Sequence, residues 1–493
     1  MIRSGMMAKN DDKGSKEGIT VKKEENFSEW YTQIISKSEF VDYTAVSGAL
    51  AFRPDGYFVW ETIQRAMDEM FKAVGIMNVY FPLFIPEKLL NKEKEHVEGF
   101  NPEVAWVTHT GSSKLDERLA VRPTSETIMY ESYSKWIRSW RDLPVRYNQW
   151  NNVVRWEFKH PTPLLRSREF LWNEGHTAFA TKAEADAERD VVLGIYNRVL
   201  KEYLALPGIT GRKSDTEKFA GAEATNSIEH MLPDGASVQG PDFHSDGQRF
   251  AKAFDIKFLD KDGKTEYVFQ NTFGFSTREL GVMLAVHGDD KGLVIPPKLA
   301  RIQVVVVPIY NNDTKDMVIK AAHELSKKVA QIARTFVDDN DAYSPGWKFH
   351  EWELKGVPIR IEIGERDIKA EKVVIYRRDT YKKQDIKIKE LPKAVEALLT
   401  DVQDSLYKKA LKALEASIHE VNTYPELKKI VGGSGGFAQA PWCGSLKCEA
   451  KVKSETKAKI TNMPFDAQAK ARGKKCVVCG EDAKHIANFA KSY

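Results

Sequence analysis

The chain has 493 residues, of which 42% are hydrophobic and 29% charged, and its mean hydropathy is −0.45. This composition excludes collagen-like and wholly disordered proteins, and at roughly 100–200 residues per domain the length predicts about two to four domains. The net charge of +4 is too small to indicate a partner. Segment 443–493, however, has eleven Lys and Arg against five Asp and Glu. That excess favours contact with a polyanion, although a solvated surface would have the same composition.

Residues 1–26 are predicted to form a disordered leader, because they are rich in Lys, Asp, Glu and Gly and offer little to bury. The first twenty residues lack the apolar segment of a secretory signal. The richest apolar runs, such as 304–307, are far too short to span a membrane. We therefore expect a soluble, cytoplasmic protein.

Segment 27–297 is predicted to form one domain that ends at the stiff Pro-Pro break at 296–297. Apolar residues at helical spacing predict helices over 27–40, 60–74 and 183–206. Strands are expected over 78–85 and within the stretch 104–180, which is rich in Arg, Trp and His. A further strand is expected from 268 onward, and it should lead into the start of a helix near 281.

The pattern changes beyond this break. Strands alternate with a helix and predict a compact α/β domain over 298–400 with a largely parallel sheet. Its strands are expected at 302–307, 357–363 and 373–376, and its helix at 317–334. A long helix over 394–418 leads into a small C-terminal domain, 401–493, which holds all four cysteines.

The cysteines are spaced as two pairs. Cys443 and Cys448 are followed, after 27 residues, by Cys476 and Cys479. Four thiols paired in this way can fill a tetrahedral shell around Zn²⁺, and a shell closed by four thiolates would be structural rather than catalytic. Four free buried cysteines are the alternative, although those are normally scattered. His485 is the nearest competing ligand.

Arginine, tryptophan and glutamate are concentrated between residues 122 and 176. Arg155 and Glu157 share one face of a predicted strand, and Arg166 and Arg168 have the same spacing. Arginines held in this way suit phosphate or carboxylate, whereas a surface lattice of Arg and Glu ion pairs is the alternative for any single one. The chain has no Gly-x4-Gly-Lys-Ser/Thr loop, so a bound nucleotide would be held by other means.

Segment 48–297 resembles the catalytic core of the class II aminoacyl-tRNA synthetases and, within that class, the prolyl-tRNA synthetases. The stretches that resemble the three class motifs are 60–82, 153–157 with its loop to 170, and 273–281. The stretches that resemble the proline branch are Arg-Pro-Thr-Ser-Glu at 122–126, Trp-Asn-Glu-Gly-His at 172–176 and the terminal Lys-Ser-Tyr. The resemblance covers 27–493 and implies an α/β multidomain chain with an antiparallel-sheet catalytic core. It also implies a homodimer formed through the first motif.

The resemblance implies that the chain attaches L-proline to tRNA(Pro) with ATP, first as prolyl-adenylate and then on the 3′ terminal adenosine. A carboxylate attacks the α-phosphorus and pyrophosphate leaves, so the enzyme needs fixed cations and little covalent machinery. Arg155 would bridge the prolyl carboxylate and the α-phosphate. Arg166 and Arg278 would hold the β- and γ-phosphates together with Mg²⁺. These three arginines are the predicted catalytic residues.

The resemblance also implies the rest of the site. The predicted ATP-binding residues are Arg155, Glu157, Arg166, Phe170, Gln239, Asp242, Thr277 and Arg278. The predicted proline-binding residues are Thr124, Glu126, Arg155, Trp172, Glu174, His176 and His244. Taken singly, each histidine could also be an ordinary interior histidine. Asp242 stands where the family pattern has Thr, and a carboxylate there would repel polyphosphate unless it meets the metal.

Segment 298–400 resembles the anticodon-binding domain of the same subgroup, with Glu362, Arg366 and Arg378 as candidate contacts to anticodon bases. A set of surface salt bridges would have the same composition. The cysteine-bearing tail resembles the archaeal and eukaryotic type, in which the terminal carboxylate lies toward the active site.

Only 123 positions separate Arg155 from Arg278, which leaves no room for the editing insertion of the bacterial type. A proline pocket cannot sterically exclude alanine or cysteine, and binding separates small apolar differences by only about 10–200-fold. We expect detectable mischarging and editing by a separate protein.

Three alternatives remain open at this point. The first is a threonyl or glycyl enzyme of the same subgroup, although a threonyl pocket needs a catalytic zinc and no ligand triad is evident in the core. The second is a non-catalytic, synthetase-like tRNA-binding protein, and the third is a zinc-tailed nucleic-acid-binding protein with an unrelated core.

Overall fold

The computed structural model describes residues 18–96 and 103–493, with the backbone alone for 92–96. Residues 1–17 of the predicted leader lie outside the described residues. Residues 18–26 of the leader are described: most of them are exposed, and Ile19 is partly buried against the core. The backbone N–H of Lys23 donates to Asp290 Oδ1 at 2.8 Å, and Lys23 Nζ donates to the carbonyl of Gly288 at 2.8 Å. That carbonyl lies just past a helix end, where a cation is favoured.

The first part of the chain contains short strands, one long antiparallel sheet and helices that cover it. Its elements are α1 (Phe27–Lys37), β1 (Val41–Tyr43), β2 (Leu50–Phe52), α2 (Pro54–Ala73), β3 (Met77–Asn78), β4 (Phe84–Pro86), α3 (Glu87–His96), β5 (Trp106–Thr110), β6 (Ser113–Val121), α4 (Glu126–Trp136), β7 (Val145–Val154), β8 (Glu169–Phe179), α5 (Lys182–Glu202), β9 (Ile209–Arg212), β10 (Ala224–Met231), β11 (Ser237–Gly247), α6 (Arg249–Phe254), β12 (Lys257–Leu259), β13 (Thr265–Tyr267), β14 (Phe269–Ser276) and α7 (Arg278–His287).

The main sheet of this part has the strand order β9-β10-β11-β14-β8-β7-β3. Neighbouring strands from β9 to β7 are antiparallel, and only the short β3 runs parallel to its neighbour β7. Helices α2 and α5 bury their apolar stripes in the core that covers one face of the sheet. Thr181 caps α5 in a capping box with Glu184, which fixes where this 21-residue helix begins. The antiparallel core expected from the class resemblance is confirmed.

The second part is a five-stranded sheet with helices. Its elements are β15 (Val304–Ile309), α8 (Lys315–Val329), β16 (Thr335–Val337), α9 (Pro345–Leu354), β17 (Ile359–Gly364), α10 (Glu365–Lys369), β18 (Lys372–Arg377), β19 (Lys383–Lys387) and α11 (Leu391–Ala416). The order is β16-β15-β17-β18-β19, parallel in its first three strands and antiparallel in the last two. The prediction of a largely parallel sheet was wrong for β18 and β19, because the connections from β17 to β18 and from β18 to β19, the first of which contains the five-residue α10, are shorter than a parallel crossover needs.

The C-terminal part continues the catalytic sheet. Its elements are β20 (Ile418–Glu420), α12 (Tyr424–Gly432), β21 (Phe437–Trp442), α13 (Leu446–Thr456), β22 (Lys459–Pro464) and β23 (His485–Ala490). Strand β22 pairs with β9 at Met463–Arg212 and Pro464–Gly211, so that the two sheets form one sheet of eleven strands. The part that bears the cysteines is therefore joined by backbone hydrogen bonds to the sheet that carries the cavity described below.

Across the two described segments, every helix falls short of the length and apolar character that crossing a bilayer requires.

Candidate active site

A cavity of about 460 Å³ lies over the central strands of the long sheet. It is bounded by residues from β8, β10, β11 and β14, from the segment after β6 and from the loop between β9 and β10. Ten of the predicted site residues line it: Thr124, Glu126, Arg155, Glu157, Trp172, Glu174, His176, Gln239, Asp242 and His244. Residues up to 120 positions apart in the sequence thus meet in one place.

Glu174 forms the centre of a buried polar network at one end of the cavity. Its carboxylate accepts hydrogen bonds from the Ser125 backbone N–H at 3.0 Å, from Gln149 Nε2 at 3.1 Å and from Asn151 Nδ2. His176 Nε2 lies 3.1 Å from the same carboxylate, and the other ring nitrogen faces the Tyr130 hydroxyl at 3.4 Å. With these partners a charge can remain buried here.

The ionisation of the Glu174–His176 pair follows from this network. Burial alone would raise the pKa of Glu174, but the hydrogen bond and charge of His176 and the Ser125 and Asn151 donors lower it to about 2. Burial would lower the pKa of His176, but Glu174 and the charge of Glu126 raise it above its usual 6.5. Glu174 therefore contributes stability above its usual pKa of 4.5 that is lost as pH falls toward 2. His176 contributes stability below 6.5 that is lost as pH rises through its elevated pKa.

Thr124 and Glu126 complete the acidic end of the cavity. The Thr124 hydroxyl donates to the Glu126 carboxylate and lies 3.5 Å from Glu174. One ligand atom each of Glu126, Glu174 and His176 falls within 4.8 Å of the others. The sequence offers no local sign of this triad, because Glu126 is 48 residues from Glu174. Its members are mutually hydrogen-bonded or charge-paired, and two carboxylates beside one imidazole suit a bound ammonium.

Arg155 connects this end of the cavity to the next group of residues. Its guanidinium carbon lies 5.1 Å from the Trp172 ring and 5.5 Å from the Phe170 ring, and Nε donates to the carbonyl of Pro123 at 2.9 Å. Stacking and one fixed hydrogen bond hold the side chain while its other N–H groups stay available for a ligand.

Arg278 reaches the same region from the start of α7. Its guanidinium donates to the carbonyls of Gln239 at 3.1 Å and Leu165 at 3.2 Å. Burial lowers the pKa of Arg278, and the charge of Arg155 adds to that effect against the opposing charge of Glu279. Two cations held near each other in a partly desolvated site favour an anion that binds between them.

Arg166 lies beside Leu165, whose carbonyl Arg278 contacts. Its guanidinium carbon lies 5.4 Å from the ring of the terminal Tyr493 and 5.8 Å from the ring of Phe158. The Tyr493 backbone N–H donates to the carbonyl of Ser237 at 2.9 Å. The Tyr493 ring thus lies beside Arg166, and the position of its carboxylate toward the active site stays a prediction.

Of the five other residues predicted to bind ATP, three line the cavity and two do not. Gln239 Nε2 donates to Asp242 Oδ2 at 2.8 Å, and Asp242 Oδ1 lies 3.5 Å from His244 Nε2. Glu157 is exposed at the cavity wall, and Phe170 meets the Trp172 ring edge-on. Thr277 is buried at the start of α7 and, like Arg166, Phe170 and Arg278, does not line the cavity, so its contact with the nucleotide stays a prediction.

Several lining residues were missed in the sequence. Glu217, Lys218, Phe219 and Ala220 form one wall, and Thr225 and Thr272 reach it from β10 and β14. The Phe219 ring lies 4.9 Å from the His244 ring. The run Asp-Thr-Glu-Lys at 215–218 reads as an ordinary surface loop, so only the apolar Phe219 within that charged run could have indicated a buried role.

Asp246, two residues along β11 from the cavity residue His244, is a buried acid with no hydrogen-bond partner for either carboxylate oxygen among the described residues. Burial and the charge of Glu126 raise its pKa well above the usual range. The folded state therefore holds a proton that the unfolded state releases above pH 3.8, and the free energy of unfolding falls as pH rises.

Asp246→Asn removes this pH dependence while keeping the shape of the side chain. We expect the variant to be more stable than the parent near pH 8 and to keep a smaller advantage near about pH 5, closer to the unfolded pKa of 3.8, with thermal unfolding at both values as the measurement. A variant whose midpoint stays below that of the parent by the same margin at both pH values would contradict the assignment.

The four cysteines converge as their spacing predicts. One Sγ atom from each of Cys443, Cys448, Cys476 and Cys479 lies within 4.8 Å of the others. Cys443 Sγ is 3.7 Å from both Cys448 Sγ and Cys479 Sγ. Sulfur atoms that share a tetrahedral Zn²⁺ at about 2.3 Å are about 3.8 Å apart, so the set fits that ion. His485 belongs to β23 and is not part of the cluster.

Two of the anticodon candidates are placed unfavourably for reading bases. Arg378 is 1% exposed and forms a double hydrogen bond to Asp289, at 2.6 and 2.7 Å, across the junction with the first part of the chain. Glu362 is buried and paired with Arg360 at 2.8 Å and Lys383 at 2.8 Å. Both stay predictions, and in the folded chain their charged groups are taken up by these ion pairs. Arg366 is exposed on α10 and stays a prediction.

Comparisons with known families agree with this architecture. The class II tRNA synthetase core domain (G, H, P, S and T) matches residues 106–287, and the anticodon binding domain matches residues 303–398. The prolyl-tRNA synthetase C-terminal family matches residues 424–493. An antiparallel sheet that carries a cavity with fixed arginines, followed by an anticodon-binding domain, defines a class II aminoacyl-tRNA synthetase.

Individual relatives indicate the family within this class. A proline--tRNA ligase 2 of Bacillus cereus is 48% identical over 472 residues, which are 96% of this chain and 98% of the relative. Proline--tRNA ligase of Cenarchaeum symbiosum (strain A) is 47% identical over 97% of this chain and all of the relative. The crystal structure of prolyl-tRNA synthetase from Cryptosporidium parvum, complexed with halofuginone and AMPPNP, matches with a TM-score of 0.92. That structure is 44% identical and covers 97% of this chain and 99% of its own. The chain belongs to the proline--tRNA ligase family.

Proposed function

We propose that this cavity activates L-proline with ATP and transfers it to tRNA(Pro). One observation carries the proposal: the Arg155 guanidinium lies 5.1 Å from the Trp172 ring and 5.5 Å from the Phe170 ring in the cavity that also holds the carboxylates, and its charge acts on Arg278. An imino acid has a cationic amine and an anionic carboxylate, and ATP is a polyanion. The carboxylates at the acidic end of the cavity match the cationic amine of proline. The arginine side, formed by Arg155, Arg166 and Arg278, matches the prolyl carboxylate and ATP.

At the acidic end, the secondary ammonium of proline would donate to the Thr124 hydroxyl and the Glu126 carboxylate. Glu174 is already occupied by its neighbours, so it holds the pocket in shape and keeps its charge. Trp172 and Phe219 provide flat apolar walls for the rigid pyrrolidine ring. No proton needs to leave the amine during activation, because the prolyl carboxylate is the nucleophile.

At the arginine end, Arg155 would bind the prolyl carboxylate and the α-phosphate together. Arg278 and Arg166 would hold the β- and γ-phosphates, with Phe170 against the adenine and Glu157 near its amino group. The carboxylate oxygen forms a bond to the α-phosphorus as the bond to pyrophosphate breaks, and the arginines stabilise charge that spreads over the phosphate oxygens. The 3′ terminal ribose hydroxyl of the tRNA would then attack the prolyl carbonyl, and AMP would leave.

Two metals belong to the proposal. Mg²⁺ typically binds through nucleotide phosphates and one or two carboxylates. Asp242 lines the cavity and would supply such a carboxylate. This role would also explain why a carboxylate stands beside the polyphosphate. Zn²⁺ would be held by the four cysteines, and the 3.7 Å sulfur separations support it. A shell of four thiolates has no open position, so its contribution is structural.

Proline-dependent exchange of pyrophosphate into ATP tests the activity directly. We expect exchange with L-proline and much less with threonine, glycine or alanine. Threonine-stimulated exchange would favour the threonyl alternative, and the absence of exchange with any amino acid would favour a non-catalytic tRNA-binding protein.

We also propose a homodimer formed around the segment that follows α2. Met77, Tyr80 and Phe84 are 53%, 74% and 45% exposed along a short stretch at the edge of the sheet. Clustered exposed apolar side chains mark an interaction surface, and an edge strand offers backbone groups to a second copy.

The double variant Met77→Lys/Tyr80→Lys is expected to weaken self-association by at least about 100-fold, because two central apolar anchors become charged. Sedimentation should show the mass of one 56.0 kDa chain instead of two. Leu259→Lys, on the equally exposed β12, is the matched control and should remain dimeric. A parent protein that sediments as one chain at micromolar concentration would refute the dimer.

Editing by a separate protein is the last part of the proposal. The 122 residues between Arg155 and Arg278 are taken up by β8, α5, β9–β14, α6 and their connections, all of which belong to the synthetic site or its supports. Because binding discriminates alanine from proline by only about 10–200-fold, we expect Ala-tRNA(Pro) to form detectably. Rapid release of alanine from purified Ala-tRNA(Pro) by this chain alone would contradict it.

A further inference from the structure

The loop 213–223 joins β9 to β10 and forms a wall of the proline end of the cavity. Its two ends are anchored within the catalytic core. Lys213 Nζ forms a buried ion pair with Glu229 at 2.6 Å, and the Phe219 backbone N–H donates to the Thr225 hydroxyl at 2.9 Å. Between these anchors, segment 214–218 carries Glu217 and Lys218 to the cavity wall.

The segment between the anchors is held by the C-terminal part. The Ser214 hydroxyl donates to Glu449 Oε1 at 2.6 Å in a buried contact. Lys453 Nζ and Lys459 Nζ each lie 3.0 Å from one oxygen of the Glu217 carboxylate. Burial would raise the pKa of Glu217, but Lys459 and Lys453 lower it, so the carboxylate stays charged between them.

These three C-terminal residues are tied to the cysteine cluster. Glu449 directly follows Cys448 at the start of α13, Lys453 is one turn further along that helix, and Lys459 begins β22. Strand β22 also pairs with β9, the strand that enters the loop. Helix α13 thus carries one of the four clustered thiols as well as Glu449 and Lys453.

We propose that the metal-bound cysteine cluster positions loop 213–223 against bound proline, through Glu449, Lys453 and Lys459 acting as positioning residues. The inference rests on the proposed function, since it assigns the loop to the proline end of that site. None of the three residues lines the cavity, so each acts only through Ser214 or Glu217. Arg166 and Arg278, two of the three arginines assigned to ATP, do not line the cavity that the loop borders, so we expect the loop to affect proline more than ATP.

Kinetics of the Lys453→Met/Lys459→Met variant test the proposal. We expect the KM for proline to rise about tenfold, which corresponds to the binding free energy of two partly exposed ion pairs. The KM for ATP and kcat should each change less than about twofold. Zinc content should stay at the parent level. Lys453→Arg/Lys459→Arg should restore the KM for proline, and Lys451→Met, an exposed residue of the same helix that contacts Tyr424, is the matched control. An equal rise in both KM values would overturn the proposal.

Hydrogen exchange of the substrate-free protein provides a readout that needs no activity. Backbone amides of 214–220 should exchange about tenfold faster in the double variant and after zinc chelation, while those of β14 keep the parent rate. Unchanged exchange of 214–220 in the double variant would overturn the positioning role. A parent protein that fails to exchange pyrophosphate with proline would instead refute the proposed function, and the hydrogen-exchange result would still decide whether the loop is held from the C-terminal part.

Discussion

Replacing Arg155 with alanine is expected to lower proline-dependent pyrophosphate exchange by about 10³-fold, the loss typical when one fixed donor to a developing charge is removed. The expected size of this loss follows from the position of Arg155. Arg155 lies between the two ends of the site, where it can contact both substrates, so its loss weakens the alignment of the prolyl carboxylate with the α-phosphorus as well as the stabilisation of charge. Single-turnover formation of prolyl-adenylate is the measurement that isolates this step.

Two further variants separate this role from a general effect of charge. Arg155→Lys keeps the cation but loses the planar fork and the stacking on Trp172 and Phe170, so most of the loss should remain. Arg198→Ala removes an exposed arginine that pairs with Glu202 on α5, and exchange should stay at the parent level. Activity of Arg155→Ala within tenfold of the parent would mean that the carboxylate and the α-phosphate are bound by other groups.

The parts of the fold that the sequence predicts well are those with strong local signals. Helix α5 begins at a capping box and has a continuous apolar stripe, so both its type and its place follow from residues close together in the chain. The cysteine cluster is similar, because paired thiols at short spacing have few other structural explanations. Most of the cavity was identified through motif resemblance, since Thr124, Glu174 and Asp242 are far apart in sequence.

The features that escaped prediction depend on long-range contacts. In the sequence, Arg378 lies among charged residues that are typical of an exposed RNA-binding surface. Only the structure shows that it is buried in an ion pair with Asp289, 89 residues away. The contact of Lys23 with the carbonyl of Gly288, 265 residues away, likewise has no local signal in the sequence. The pairing of β22 with β9 has no local signature at all, because any edge strand could have accepted β22.

Replacing Cys476 with serine is expected to have the largest effect on stability. A structural Zn²⁺ site in small domains contributes about 10–16 kcal/mol of binding, so losing one of four thiolates should remove most of the bound metal and at least about 5 kcal/mol of stability from the C-terminal part. Zinc content by atomic absorption and thermal unfolding are the measurements. Val477→Ser, which changes the neighbouring side chain but keeps all four thiols, should retain the metal.

The consequence of that loss should extend beyond the cysteines. Strand β22 completes the sheet through Met463 and Pro464, and the main chain of the terminal Tyr493 bonds to Ser237 while its ring lies against Arg166. Release of the metal should therefore speed hydrogen exchange in β9 and weaken ATP binding as well, an effect that the Lys453/Lys459 variant should lack. If Cys476→Ser is too unstable to purify, chelation of the parent protein followed by re-addition of Zn²⁺ makes the same comparison. Zinc content that is unchanged in Cys476→Ser would exclude coordination by four thiolates, and His485 on the adjacent strand would then be the ligand to examine.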